Sequence, residues 1–217
     1  VWAALDVLVF KKVAHEITLE PAAMDDLEVE VGTDEPERVS VVCSTSKFRL
    51  VIQCKQSSRS NWSVDALIAL LKHGKNREPA TERLKREIDT RYLLVTNLPV
   101  TDTLRVLRVG DFLGAPSPGS ASAKMQRELA EVHERIAVLA NVEPRMVEIH
   151  IRDLLREHCF VPDSQWKACL ETLRRQALEK MTARTVVPWT RAEVEAAIRA
   201  HEGLLGSSSE AELYVAP

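Results

Sequence analysis

Hydrophobic and polar residues alternate strictly along residues 27–31, a pattern that predicts a half-buried β-strand. The middle of residues 48–55 is continuously apolar, as expected of a central strand covered on both faces. Another β-rich run occupies residues 92–96. The intervening residues have helical period, and Ser63 is suited to cap the first helix. This order requires a crossover connection, so we expect the runs 48–55 and 92–96 to pair in parallel.

The rest of the chain reads mainly as helix. Residues 2–13 have helical period and precede a short strand, and residues 123–139 and three later segments are also helical by period. These patterns predict an α/β protein with a mixed sheet flanked by helices and a C-terminal all-helical extension. We expect four parts, namely a core (1–109), a linker or loop (110–122), a helical extension (123–203) and a flexible tail (204–217).

Composition places the chain among folded, water-soluble proteins. Its 217 residues are 45% hydrophobic and 28% charged, and no apolar run approaches the roughly 20 residues that span a bilayer. The opening residues lack a basic leader, so we expect a cytoplasmic protein with no membrane partner. The four cysteines include no C-x-x-C pair, which favours reduced thiols over a zinc site. Cys54, on a predicted strand, is expected to be buried.

The formal net charge of −3 conceals an uneven distribution of charge. Residues 16–37 contain acids but no Lys or Arg, whereas Asp65 is the only acid among the many bases of residues 40–77. A metal site beside a phosphate-binding surface would need such an arrangement. Solvated faces of two ordinary elements explain the same charges.

Four polar residues lie at the ends of predicted strands. Asp25 and Asp26 head one strand, and Gln53 and Lys55 end a later one. Residues two apart on a strand point to the same face, so the Gln53 carbonyl and the Lys55 ammonium are expected side by side. A carboxylate and an amide oxygen can bind a hard cation such as Mg²⁺, while a lysine can orient water or stabilise negative charge.

These residues resemble the active site of the PD-(D/E)XK nucleases, in the variant whose second acid is Gln. The similarity is greatest to the double-stranded DNA endonuclease domain of bacterial antiphage effectors, which include CBASS endonucleases and antiviral STAND ATPases. It covers about residues 1–100 and implies a restriction-endonuclease-like sheet. The matching stretches are Ile-Thr-Leu-Glu at 17–20, Asp-Asp-Leu at 25–27, Leu-Val-Ile-Gln-Cys-Lys-Gln-Ser-Ser at 50–58 and Tyr-Leu-Leu-Val-Thr-Asn at 92–97.

The resemblance assigns a role to each residue of this group. It makes Asp26 the metal-binding acid, Gln53 its partner in binding the metal, and Lys55 the catalytic lysine. Glu20 is a further candidate metal ligand, and Asp25 competes with Asp26 because the sequence does not say which of the two turns inward. The implied cofactor is Mg²⁺, with Mn²⁺ as a substitute.

Candidate nucleic-acid contacts surround the lysine. They are Ser57, Ser58, Arg59, Lys72 and Lys75. A polar loop and the helix dipole explain the same residue types, because cations favour helix C-termini. Trp62 either stacks at DNA or packs in the core before the Ser63 cap.

The resemblance therefore predicts a metal-dependent, low-specificity endonuclease that cuts double-stranded DNA as the effector domain of an antiphage protein. It is expected to act as a homo-oligomer, under a fused or associated sensor or ATPase domain. One alternative is a catalytically inactive nuclease fold that serves as a DNA-binding or assembly module. A second is a helical protein-interaction adaptor without affinity for nucleic acid.

Overall fold

The described part of the chain combines helices with the strands of one sheet. The computed structural model describes residues 1–19, 27–32, 47–56, 61–74, 78–114, 116 and 121–202. The α-helices are α1 (Trp2–Ala4), which continues as a π-helix (Leu5–Phe10), α2 (Val64–Lys72), α3 (Ala80–Arg86), α4 (Ala123–Glu128), α5 (Pro144–Glu157), α6 (Trp166–Thr182) and α7 (Arg191–Arg199). The strands are β1 (Glu16–Leu19), β2 (Leu27–Gly32), β3 (Lys47–Lys55), β4 (Thr90–Thr96), β5 (Ile136–Leu139) and β6 (Trp189–Thr190).

These strands form one mixed sheet in the order β5-β4-β3-β2-β1-β6. The pairs β3–β4 and β4–β5 are parallel, and the remaining pairs are antiparallel. The crossover predicted between β3 and β4 is confirmed, and it contains α2 and α3. The Ser63 cap is confirmed as well, since its Oγ accepts from the Ala66 amide at 3.2 Å. The predicted class, an α/β fold with a mixed sheet flanked by helices, is confirmed.

Helices cover both faces of the sheet. Because side chains alternate along a strand, Val51 of β3 packs with α2, α3 and α4, whereas Leu50 and Ile52 face the opposite layer. That opposite layer contains the π-helix together with α5, α6 and α7. Burial on both faces explains the continuous apolar run in β3.

The C-terminal part of the chain contributes strands as well as helices. Residues 123–139 were expected to be one helix, but α4 ends at Glu128 and Ile136–Leu139 is the strand β5, beside β4. A short apolar run does not distinguish strand from helix by period, so the sequence pattern concealed this strand. At the other edge β6 pairs with β1, and its Trp189 is fully buried, as a core tryptophan should be. No helix in the described residues has the length and apolarity needed to cross a membrane.

A partly buried ion-pair network joins α3 to the sheet. Arg83 donates to Glu28 of β2 and, at 3.2 Å, to Glu87. Arg86 and Thr90 each donate to Glu87 at 3.0 Å. Partial burial alone would raise the pKa of the Glu87 carboxyl, but the hydrogen bonds from Arg86, Thr90 and Arg83 outweigh it and lower that pKa to about 2.

This network should make the stability of the fold depend on Glu87 and on pH. The pKa is lower in the folded chain than the ordinary 4.5, so the stabilisation is complete above about pH 4.5 and is lost as the pH falls towards 2. We expect Glu87→Gln to lower the free energy of unfolding by about 1–2 kcal/mol at pH 7 and by much less near pH 3. Urea unfolding at both pH values measures the difference. Glu131→Gln, at an exposed position, is the matched control, and an equal loss at both pH values would contradict the assignment.

Candidate functional site at the carboxyl ends of the parallel strands

The parallel strands β3 and β4 bring their carboxyl ends to the same edge of the sheet. In the register of this pair, Gln53 lies opposite Leu94 and Lys55 lies opposite Thr96. Ligands of open α/β sheets bind beyond the carboxyl ends of parallel strands. The two residues of the Gln-x-Lys pattern therefore lie at the edge where a ligand is expected, but their environments differ.

Gln53 lies in the core rather than at an open surface. It is only 3% exposed, and its Oε1 accepts a hydrogen bond from the Tyr92 hydroxyl. Tyr92 is opposite Val51, which places it diagonally across from Gln53 on the same face of the sheet. The glutamine carbonyl, expected to bind a metal, is thus already engaged by a buried donor. No local pattern could have predicted this partner, because the register of the two strands decides it.

Lys55 is half-buried at the end of β3 and lines two clefts. Within the part of the chain that the structure describes, its ammonium has no ion-pair partner. Nearby cations are neutralised, since Lys72 pairs with Glu128 at 2.7 Å and Arg174 pairs with Glu148 at 2.9 Å. Lys55 therefore places a positive charge where the two clefts meet.

The first cleft, which we call the strand-end cleft, has a volume of about 420 Å³. Its lining includes Trp2, Cys54, Lys55, Asn97, Val147 and Arg174. Cys54, expected to be buried, is exposed because it occupies the opposite face of β3 from Gln53 at the strand's open end. Two of the walls come from α5 and α6, far along the chain, so the sequence offered no means of predicting this cleft.

The second cleft, which we call the Trp62 groove, has a volume of about 350 Å³. It is lined by Lys55, Gln56, Asn61 and Trp62 and by Ala66, Ala69, Leu70 and His73 of α2 and its C-terminal end. The Trp62 indole Nε1–H donates to Thr96 Oγ1 at 2.8 Å. Trp62 also packs against the apolar layer beneath α2. Part of its side chain is therefore buried, while another part lines the groove.

Most of the other predicted site residues lie outside the described residues. They are Glu20, Asp25, Asp26, Ser57, Ser58, Arg59 and Lys75. Lys72 is described and sits at the end of α2, paired with Glu128 rather than beside Lys55 in either cleft. The catalytic, metal-binding and nucleic-acid-binding roles assigned to this set therefore stay predictions.

The described residues do not fit a metal ion by themselves. Among them, no three His, Cys, Asp or Glu side chains are grouped as a metal site would require. Gln53, the one described candidate ligand, is engaged by Tyr92. The Mg²⁺ and Mn²⁺ predictions depend on residues outside the described part of the chain.

No protein-family model and no curated protein matches the chain. Several solved structures do match the chain. An Acinetobacter baumannii Cap4 SAVED/CARF-domain containing receptor with the cyclic trinucleotide 2'3'3'-cAAA matches at a TM-score of 0.57 and 9% identity, over 92% of this chain and 43% of that one. The same receptor with 3'3'3'-cAAA matches at 0.54 and 12%, with the same coverage. A Moraxella osloensis Cap4 receptor matches at 0.50 and 13%, over 92% and 46%.

This chain shares a fold with Cap4 receptors. At 9–13% identity the similarity establishes the fold, and the chain spans less than half the length of the receptors that it matches. The double-stranded DNA endonuclease expected from the sequence is contradicted, because these proteins are described as receptors and two of the structures contain a cyclic trinucleotide. The Gln-x-Lys pattern misled because the same pattern arises where the glutamine completes a buried hydrogen bond, as Gln53 does with Tyr92.

The Gln53–Tyr92 hydrogen bond should be measurable as a coupling free energy. We expect Tyr92→Phe to destabilise the fold by about 1–3 kcal/mol, because it removes a donor from a buried carbonyl oxygen. Gln53→Met removes the acceptor at similar volume. The double variant should be at least about 0.5 kcal/mol more stable than the sum of the single losses predicts, as measured by urea unfolding. Strictly additive losses would show that the two side chains do not interact.

Proposed function

We propose that this chain is one domain of a multidomain bacterial antiviral receptor that responds to a cyclic oligonucleotide. In this proposal, the strand-end cleft binds a phosphodiester of that ligand. The observation that carries the proposal is the fold shared with Cap4 receptors over 92% of the chain, one of which was solved with each of two cyclic trinucleotides. The sequence resemblance to antiphage effector domains supports the same setting.

The chemistry of the strand-end cleft favours an anionic, amphipathic ligand. Lys55 contributes positive charge, and charge-assisted hydrogen bonds are the strong ones for phosphate oxygens. Asn97 adds a polar side chain, while Trp2 and Val147 supply apolar surface. A volume of about 420 Å³ lies within the roughly 300–1,000 Å³ typical of small-molecule sites. Nucleotides combine the same three requirements of negative charge, polar edges and apolar faces.

The proposal includes at least one further domain, fused to this chain or associated with it. The Cap4 receptors are more than twice as long as the region that this chain matches, which covers 43% of one of them. A fused or associated domain would pass the ligand signal on or receive it. Homo-oligomerisation on activation and a cytoplasmic location, both expected from the sequence, remain predictions.

Substitution of Lys55 tests the proposal. We expect wild-type protein to bind 2'3'3'-cAAA or 3'3'3'-cAAA in isothermal titration calorimetry, and Lys55→Gln to bind about tenfold more weakly, equivalent to about 1.4 kcal/mol. The loss follows from removal of one charge-assisted contact. Lys85→Gln, on α3 and paired with Glu82, is the matched control and should change affinity less than twofold.

Two comparison ligands show whether binding is specific for the cyclic trinucleotide. They are linear adenosine trinucleotide and duplex DNA at the same phosphate concentration. Preferential binding of the cyclic trinucleotide supports the proposal. Binding of duplex DNA alone, or equal binding of cyclic ligand by wild type and Lys55→Gln, would overturn the assignment of this cleft.

A further inference from the structure

The Trp62 groove adjoins the strand-end cleft through Lys55 and Gln56, which line both. A ligand phosphate at Lys55 would therefore lie at the entrance to a second, mainly apolar space. Its walls are an aromatic ring on one side and α2 on the other. What enters that space rests on the proposed function, in which a phosphodiester lies at Lys55.

Trp62 is fixed in place before any ligand arrives. Its indole N–H is bound to Thr96 Oγ1 at 2.8 Å, and that oxygen also accepts from the Leu98 amide at 3.3 Å. Its main chain is bound on both sides, with N–H donating to Pro99 O and its own O accepting from the Thr101 amide, each at 2.9 Å. A residue held by one hydrogen bond from its ring and two from its main chain has little conformational entropy left to lose on binding, so the ring is preorganised as a contact surface.

The wall formed by α2 leaves room beside this ring. The core side of α2 consists of Val64, Leu67, Ile68 and Leu71. On the groove side, Ala66 and Ala69 are three residues apart and so lie on the same side of the helix. Their methyl groups, together with the larger Leu70, form the wall that faces the indole across the groove. The groove is thus open along an aromatic ring and bounded by apolar groups.

Polar groups stand at the rim of the groove. The amides of Gln56 and Asn61 are exposed there, and His73 closes the far end. A flat, apolar ring with hydrogen-bonding edges matches this arrangement, since its faces would meet Trp62 and the alanines while its edges meet the amides. If that ring were attached to an anion, the anion could pair with the Lys55 ammonium.

We propose that the Trp62 groove is a nucleobase subsite, in which the base of a nucleotide stacks on the Trp62 indole while its phosphate lies at Lys55. Stacking on an aromatic side chain tolerates every base, because each base has a π-face. The subsite would thus add affinity for nucleotides over simple phosphates. It would place the base on the α2 side of the sheet and the rest of the ligand in the strand-end cleft.

The test uses adenosine 5'-monophosphate and ribose 5-phosphate as probes, which differ by the base alone. In ¹H–¹⁵N spectra of the full chain, the indole resonance of Trp62 is assigned by its loss in Trp62→Phe. We expect adenosine monophosphate to shift this resonance and to bind about tenfold more tightly than ribose phosphate. The indoles of Trp166 and Trp189, which line neither cleft, should not move.

Variants separate stacking from a structural role of the tryptophan. Trp62→Leu should bring adenosine monophosphate down to the affinity of ribose phosphate, whereas Trp62→Phe should keep most of the difference. Circular dichroism checks that each variant is folded. An unchanged preference for adenosine monophosphate in folded Trp62→Leu would overturn the subsite.

The outcomes also separate this inference from the proposed function. Cyclic trinucleotide binding that depends on Lys55 but not on Trp62 overturns the subsite and leaves the proposed function intact. Base-dependent binding of adenosine monophosphate at Trp62, without any binding of cyclic trinucleotide, supports the subsite and overturns the proposed function. Absence of any adenosine monophosphate binding overturns the subsite directly.

Discussion

The parallel pairing of β3 with β4 is the constraint on which the rest of the structure depends. It sets Lys55 opposite Thr96 and places Tyr92 within reach of Gln53. Because parallel neighbours need a crossover, it also places α2 and α3 on one face of the sheet. Thr96 in turn holds Trp62 at the start of that crossover. The pairing thus sets the shared part of the two clefts, where Lys55 and Gln56 line both.

Among the described residues, charge is compensated over much of this surface, but no carboxylate pairs with Lys55 at the end of β3. Arg83, Lys72 and Arg174 each have a carboxylate partner within 3.2 Å. These pairs stabilise the packing of helices on the sheet or on one another, and their charge is unavailable to a ligand. Lys55 differs because the strand ends at its position, between two clefts whose carboxylate, Glu148, is bound to Arg174. Its positive charge is therefore the feature of the described edge that best suits an anion.

Local patterns predicted the central elements of the fold and missed those fixed by distant contacts. Alternation identified β2, continuous apolarity identified β3, β-rich composition identified β4, and the Ser63 cap located α2. By contrast, β5 is a strand because it adds to the edge of the sheet beside β4, a tertiary effect that periodicity does not contain. The clefts could not be predicted for the same reason, since α2, α5 and α6 line them from distant parts of the chain.

The misassigned function has a similar physical origin. A Gln-x-Lys pattern at a strand end places an amide and an ammonium on the same face, but the neighbouring strand decides what the amide does. With a hydrogen-bond donor diagonally across from it, as Tyr92 is here, the glutamine becomes a buried structural residue and the lysine alone faces the edge. With an apolar residue in that position, a buried glutamine would lack this partner and a role toward a ligand would be favoured. The identity of residue 92, opposite Val51, therefore carries more information about the site than the motif itself.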